Sequence, residues 1–192
     1  MASVLIPLAQ GCEELEAVTI IDLLRRAEIN VVTAGLDENN IKASRGVVLV
    51  PDVELSNVSA QSFDMIILPG GLPGADFLND DCRIHRLLCE MNEQRKWVAA
   101  ICAAPKVLAS AGLLENKKVT SYPGSLEDYD VSGMVITNAS VVVDGHIVTS
   151  RGPGTAMDFA LTLIELLCGE EKRKAVEKPL LRPEYSGENQ IN

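Results

Sequence analysis

Cys102 is the residue of this chain best placed to do chemistry. It ends the apolar run Trp97-Val98-Ala99-Ala100-Ile101, and Ala103-Ala104-Pro105 follow before the helical stretch Lys106-Val107-Leu108-Ala109-Ser110-Ala111. A buried strand that turns sharply into a helix sets its turn residue at the carboxyl end of a sheet, where open α/β sheets bind ligands. Near a helix N-terminus, backbone N–H groups and the helix dipole favour a thiolate. The pattern is that of a nucleophile elbow, with cysteine in the place of serine. Free cysteine is also among the most buried residue types, so a packed cysteine at a strand end is the competing reading.

A cysteine nucleophile needs a group that shares its proton and N–H donors for a developing oxyanion. Gly71, in the strand-end turn Pro69-Gly70-Gly71, and Ala103 offer such N–H groups, unless the glycines do no more than close a tight turn. Glu16 offers a proton relay if the first helix starts beside the elbow; otherwise it is a solvated helix-face charge. Arg151 sits in a third turn, Ser150-Arg151-Gly152-Pro153-Gly154-Thr155, and reads as a surface charge or a carboxylate partner. His85, on a helix, and His146, in a hairpin turn, read as exposed, so the sequence demands no Cys/His dyad.

The elements that must position these residues alternate. Residues 2–8 read as a buried strand, 13–27 as a helix with an acidic start and Arg25-Arg26 at its end, and 29–34 as a second strand. This βαβ pattern specifies a parallel sheet with right-handed crossovers. Short strands or a hairpin excursion at 42–43 and 47–50, a core strand at 63–68, helices at 73–79 and 81–95, the strand at 97–101 and a helix at 103–111 follow. Short strands are expected at 117–120, 134–137, 140–143 and 147–149, with Asp144-Gly145 as a hairpin turn, then helices at 155–167 and 170–177. No internal repeat breaks the chain, so residues 1–180 read as one domain and 181–192 as a polar, mobile tail.

Composition narrows the function. The net charge of −10 argues against a nucleic-acid partner. No apolar run approaches the ~18 residues of a membrane span, and the N-terminus lacks the features of a signal peptide. Cys12, Cys82, Cys89, Cys102 and Cys168 are scattered, without a CxxC pair or nearby histidines. They read as reduced thiols in a cytoplasmic protein, with no metal site.

Four segments in register carry a resemblance. Gly11-Cys12-Glu13-Glu14-Leu15-Glu16, Leu68-Pro69-Gly70-Gly71, Ala99-Ala100-Ile101-Cys102-Ala103-Ala104-Pro105 and Thr149-Ser150-Arg151-Gly152-Pro153-Gly154-Thr155 resemble the ThiJ/PfpI superfamily. The likeness runs from about residue 3 to 180. It is strongest to the branch of the parkinsonism-associated protein deglycase and its bacterial relatives. The resemblance implies a flavodoxin-like three-layer sandwich with a mostly parallel central sheet, usually a homodimer. It implies that Cys102 is a nucleophile readily oxidised to a sulfinic acid, that Glu16 is a protonated glutamate bonded to it, and that Gly71 and Ala103 are backbone donors beside it. Arg45 falls on an arginine near the site and the dimer contact, and Arg26 on another at the dimer interface. Tyr122 stands where many members have a histidine, in Ser121-Tyr122-Pro123, and Val50 stands where the family's auxiliary cysteine precedes a proline.

The activity so implied is that of a cofactor-independent glyoxalase or protein deglycase acting on methylglyoxal, glyoxal or their early protein adducts, in a stress-response setting. The alternative is a redox sensor or redox-regulated chaperone whose cysteine is oxidised without significant turnover. A protease is disfavoured, because tyrosine (pKa ~10) is a poor base where histidine would serve. No cofactor, metal or membrane partner is expected.

Overall fold

Strand burial is continuous where the sequence is apolar without alternation, and this builds the middle of the sheet. The computed structural model describes residues 1–182. In chain order its elements are β1 (Ser3–Leu8), α1 (Glu14–Arg26), β2 (Asn30–Gly35), β3 (Ile41–Lys42), β4 (Val48–Leu49), β5 (Val53–Glu54), β6 (Met65–Leu68), α2 (Gly74–Asp80), α3 (Cys82–Glu93), β7 (Trp97–Ile101), α4 (Pro105–Ser110), β8 (Lys118–Val119), β9 (Val135–Ile136), β10 (Val141–Asp144), β11 (Ile147–Ser150), α5 (Ala156–Cys168) and α6 (Glu170–Glu177).

The seven-stranded sheet has the order β10-β11-β7-β6-β1-β2-β5. Every pairing in it is parallel except β10 with β11. The result is the expected flavodoxin-like α/β sandwich. Alternate side chains leave the sheet on opposite sides, so each strand feeds two cores. Val4, Ile6, Leu8, Met65, Ile67 and Ile101 pack with Ile20, Leu24, Phe159 and Leu163 of α1 and α5. Leu5, Ile66, Leu68, Val98 and Ala100 pack with Leu78, Leu88, Val107 and Leu108 of α2, α3 and α4. Phe159 is wholly buried, and truncating it to alanine is expected to cost about 3–5 kcal/mol.

Strand order reverses between β1 and β6: β2 and β5 extend to one side, β7 and β11 to the other. A crevice outside the carboxyl ends of the strands forms at such a point. The turns after β1, β6 and β7 therefore meet there, and they are the segments that hold Gly11 to Glu16, Gly70-Gly71 and Cys102.

Several expectations shift in detail. The edge strand β5 was not foreseen, because Val53-Glu54 is too short for a pattern. The strands expected at 117–120 and 134–137 shrink to β8 and β9, which pair with each other outside the main sheet. Asp144 pairs with Ile147, so Gly145-His146 form the hairpin loop, one residue later than expected. The helix expected from 103 begins at Pro105, leaving Cys102 to Ala104 as a turn. The polar tail, beyond Arg182, lies outside the described residues.

Candidate active site

Cys102 adopts a left-handed backbone conformation, φ 63°. A non-glycine residue there carries roughly 1–3 kcal/mol of strain, which the surroundings must hold in place. The Cys102 N–H donates to Ser150 O at 3.0 Å, and Cys102 O accepts the Tyr122 N–H at 2.9 Å. Both flanking turns thus grip the elbow, and the sulfur turns toward α1 and the β6 turn. Only 8% of Cys102 is exposed.

Gly70 explains how the parts come so close. A Cβ on it would lie 2.7 Å from Cys102 Cβ, 2.8 Å from Ile101 O and 2.9 Å from Glu16 Oε2. Its N–H donates to Glu16 Oε2 at 2.8 Å, and its carbonyl accepts the Glu13 N–H at 2.9 Å. The β6 turn therefore docks the start of α1 against the elbow. Gly71 has φ 90°, and a Cβ there would collide with the Glu13 backbone.

Glu16 is wholly buried. Burial, the largest influence, pushes its carboxyl up to about 7, against the hydrogen bonds from Gly70 and Cys102. Its Oε1 has no partner of good geometry, so the Cys102 contact is looser than the Gly70 bond. Burial, then the negative charge of Glu16, pushes the Cys102 thiol up to about 12, while the N–H groups of Gly71 and Ala103 pull it down. The expected acidified thiol is thus reversed, because desolvation outweighs the donors and α4 is only six residues long.

The two acids titrate as a pair. Losing the first proton leaves one negative charge and one proton between sulfur and carboxyl. Two N–H donors, from Gly71 and Ala103, face the sulfur, and the thiol and the Glu16 carboxyl share a hydrogen bond. With the carboxyl raised to about 7 and the thiol to about 12, the first proton leaves the carboxyl, and a thiolate forms by passing the thiol proton to Glu16. The solvated helix-face reading of Glu16 and the tight-turn-only reading of Gly70-Gly71 are set aside by this geometry.

Glu14 was read as part of an acidic helix start. Its carboxylate accepts from Ser44 Oγ at 2.9 Å and from the Arg45 N–H at 2.8 Å. The Ser44 N–H donates to Cys12 O at 2.8 Å. The β3–β4 hairpin is therefore tied to the start of α1, and no sequence signal except proximity of charge and hydroxyl pointed to it. Arg45 itself is exposed, and Arg26 pairs with Asp22 at 2.7 Å on the outer face of α1.

Tyr122 lies beside the elbow through its backbone, with its ring half-exposed near Gly152. The histidines are half-buried rather than exposed: His85 Nε2 meets Asn79 O and His146 Nε2 meets Asn92 Oδ1, each at 2.7 Å. Both are engaged in local polar contacts away from the sulfur. Arg151 is half-buried and donates to Asn138 O at 3.3 Å. Among the described residues, no three His, Cys, Asp or Glu side chains converge as metal ligands would.

A strained cysteine at the carboxyl end of a parallel strand, two N–H donors and a buried acid place the candidate nucleophile on the strand-to-helix elbow of an α/β sandwich. The family model for the DJ-1/PfpI family matches residues 2–166. Protein dj-1beta of Drosophila melanogaster is 42% identical over 180 residues, 93% of this chain and 96% of that protein. The glutathione-independent glyoxalase DJR-1.2 of Caenorhabditis elegans is 36% identical over 179 residues, 93% of this chain and 95% of that protein. The crystal structure of Drosophila melanogaster DJ-1beta superposes with a TM-score of 0.89 at 42% identity, covering 95% of this chain and 99% of that one. This chain belongs to the DJ-1/PfpI family.

Proposed function

We propose that this protein is a cofactor-independent glyoxalase that also acts on early dicarbonyl adducts of proteins. The observation that carries the reading is the Glu16 carboxyl: wholly buried, raised to about 7, held by the Gly70 N–H and in hydrogen-bond contact with the Cys102 thiol. A relative of the same length class bears the name glutathione-independent glyoxalase.

In this mechanism the Cys102 thiolate attacks the aldehyde carbon of methylglyoxal, and Glu16 gives its proton to the new hydroxyl oxygen. The N–H groups of Gly71 and Ala103 stabilise negative charge as it develops. Glu16 then takes the proton from the former aldehyde carbon and returns it to the former ketone carbon through an enediol. The resulting thioester is hydrolysed by one water, which releases lactate and regenerates the thiol. Aldehyde oxidation and ketone reduction balance within one molecule, so no external oxidant is consumed. Methylglyoxal loss and lactate formation by the wild type, beside Cys102→Ser and Glu16→Gln, test the reading. Turnover lost in both variants supports it, and turnover equal to wild type in either refutes the assigned role.

A second reading is a redox sensor, favoured by the two N–H donors at the sulfur of Cys102, a residue that is 8% exposed. They suit sulfinate oxygens as well as an oxyanion. Protease chemistry receives no support, since both histidines are occupied elsewhere.

We further propose that the protein is a homodimer. Leu15 and Val18 of α1 and Val47, Val48 and Val50 of the hairpin are exposed, and Val18, Ile21, Leu49 and Val50 line one groove. An apolar face of this kind suits a second copy, with Arg26 and Arg45 nearby. Sedimentation of wild type against Val48→Glu tests this. The five free cysteines suit a reducing cytoplasm; among the described residues no helix is long and apolar enough to cross a membrane.

A further inference from the structure

Two attachments from distant segments hold the start of α1. The β6 turn supplies one: the Glu13 N–H donates to Gly70 O at 2.9 Å, and the Gly70 N–H donates to Glu16 Oε2 at 2.8 Å. The β3–β4 hairpin supplies the other. Its Ser44 N–H donates to Cys12 O at 2.8 Å, and its Arg45 and Val47 N–H groups donate to Glu14 Oε1 at 2.8 and 3.4 Å. Glu13, at the cap position of α1, makes no side-chain cap bond. The direction of the first turn therefore rests on these tertiary attachments. Glu16 lies in that turn, two residues beyond Glu14.

In the hairpin's tie to the α1 carboxyls, the side chain that takes part is that of Ser44. Its Oγ lies 2.8 Å from Glu13 Oε2 and 2.9 Å from Glu14 Oε2, so one hydroxyl bridges two adjacent carboxyls. Among the described residues, no ammonium or guanidinium pairs with either carboxyl. The Arg45 and Val47 contacts use backbone that almost any residue supplies, so the chemistry of the tie is set at position 44. Glu14 is only 9% exposed, and bulk water does not replace the hydroxyl unless the turn moves. The hairpin is also held by Gln10, whose side chain donates to Asn40 O and accepts the Lys42 N–H, each at 2.9 Å. That second hold does not touch the α1 carboxyls.

We propose that Ser44 is a positioning residue for Glu16: by bridging Glu13 and Glu14, its hydroxyl fixes the first turn of α1 so that the Glu16 carboxyl stays buried against Cys102. The consequence for turnover rests on the glyoxalase reading, whereas the consequence for the Glu16 carboxyl does not.

The test compares Ser44→Ala, Ser44→Thr and Gln10→Ala with wild type by urea titration across pH and by methylglyoxal kinetics. Wild type should lose stability between about pH 4.5 and 7, where folded Glu16 keeps a proton that the unfolded chain releases. Ser44→Ala should reduce that fall to roughly half or less, because a loosened first turn admits water to the carboxyl. A merely structural loss would lower stability equally at both ends of the window. In Ser44→Ala, kcat should drop about tenfold with KM within about twofold, as misplacement of a reacting group predicts. Ser44→Thr keeps the hydroxyl and should restore both readouts, and Gln10→Ala should retain them. A full pH-dependent fall in Ser44→Ala would overturn the proposal. So would failure of Ser44→Thr to restore what Ser44→Ala loses, or an equal loss in Gln10→Ala, which would assign the effect to the hairpin as a whole. A reduced fall in Ser44→Ala, restored in Ser44→Thr, with no turnover in any of the proteins would overturn the glyoxalase reading and leave the role of Ser44 standing.

Discussion

Two buried cysteines flank the start of α1, and their contrast shows what turns a core thiol into a site. Cys12 is wholly buried and Cys102 is 8% exposed, and both thiols are pushed up to about 12, chiefly by burial. Both also feel Glu16. Cys12, however, lies in relaxed backbone whose carbonyl anchors Ser44, and its largest charged influence is Glu14. Cys102 lies on a strained elbow and receives two N–H groups from other residues, and its neighbour Ala103 lines an open cleft. Burial alone makes a thiol inert; under the proposed function, donors, a proton partner and access are what set Cys102 apart.

The sharpest way to break this contrast is at Gly70. Gly70→Ala forces a Cβ into Cys102, Ile101 and Glu16. Misplacement of about 1 Å at a reacting centre costs on the order of 10²-fold, so methylglyoxal turnover should fall at least that far. A crystal structure of the variant should show α1 displaced from the elbow. Turnover within a few-fold of wild type would mean that the close approach is not what activates Cys102.

Glu16→Gln should lower turnover by roughly 10²–10⁴-fold, the span of a lost acid–base group. It should also change the pH dependence of stability. The folded protein holds the Glu16 proton up to about pH 7, whereas an unperturbed carboxyl loses it near 4.5. Between those values the folded state binds more protons, so stability falls as pH rises. The fall amounts to about 3 kcal/mol. Urea titrations from pH 4.5 to 7.5 should show it in wild type and show it removed in Glu16→Gln.

Alkylation gives a smaller but more direct comparison. Iodoacetamide at pH 8 should modify Cys102 well ahead of Cys12, with Cys12 reacting only as the protein unfolds. Peptide mapping by mass spectrometry reads both, and equal rates would erase the distinction drawn here. The smallest effect belongs to Cys12→Ala. It should leave turnover within about twofold and cost on the order of 1 kcal/mol of stability for the small cavity left behind.

Legibility followed physical range. The strands β1, β6 and β7 and the helices α1, α3 and α5 were readable because apolar runs and amphipathic spacing are local properties. So was the elbow, since a strand, a cysteine and Pro105 stand next to one another. The two-residue strands β5, β8 and β9 were misjudged or missed, because their pairing energy comes from distant partners. The histidines were read as exposed because the sequence does not display Asn79 and Asn92 folding against them.

By itself, the sequence determined the alternating α/β order, the parallel sheet and the identity of the candidate nucleophile, all set by neighbouring residues. Only the tertiary structure decided that Glu16 is buried against Cys102, that Gly70 permits the contact, and that the thiol is raised rather than acidified. Those outcomes depend on desolvation and on approach between segments more than fifty residues apart, where the balance of burial against a few hydrogen bonds has no local signature.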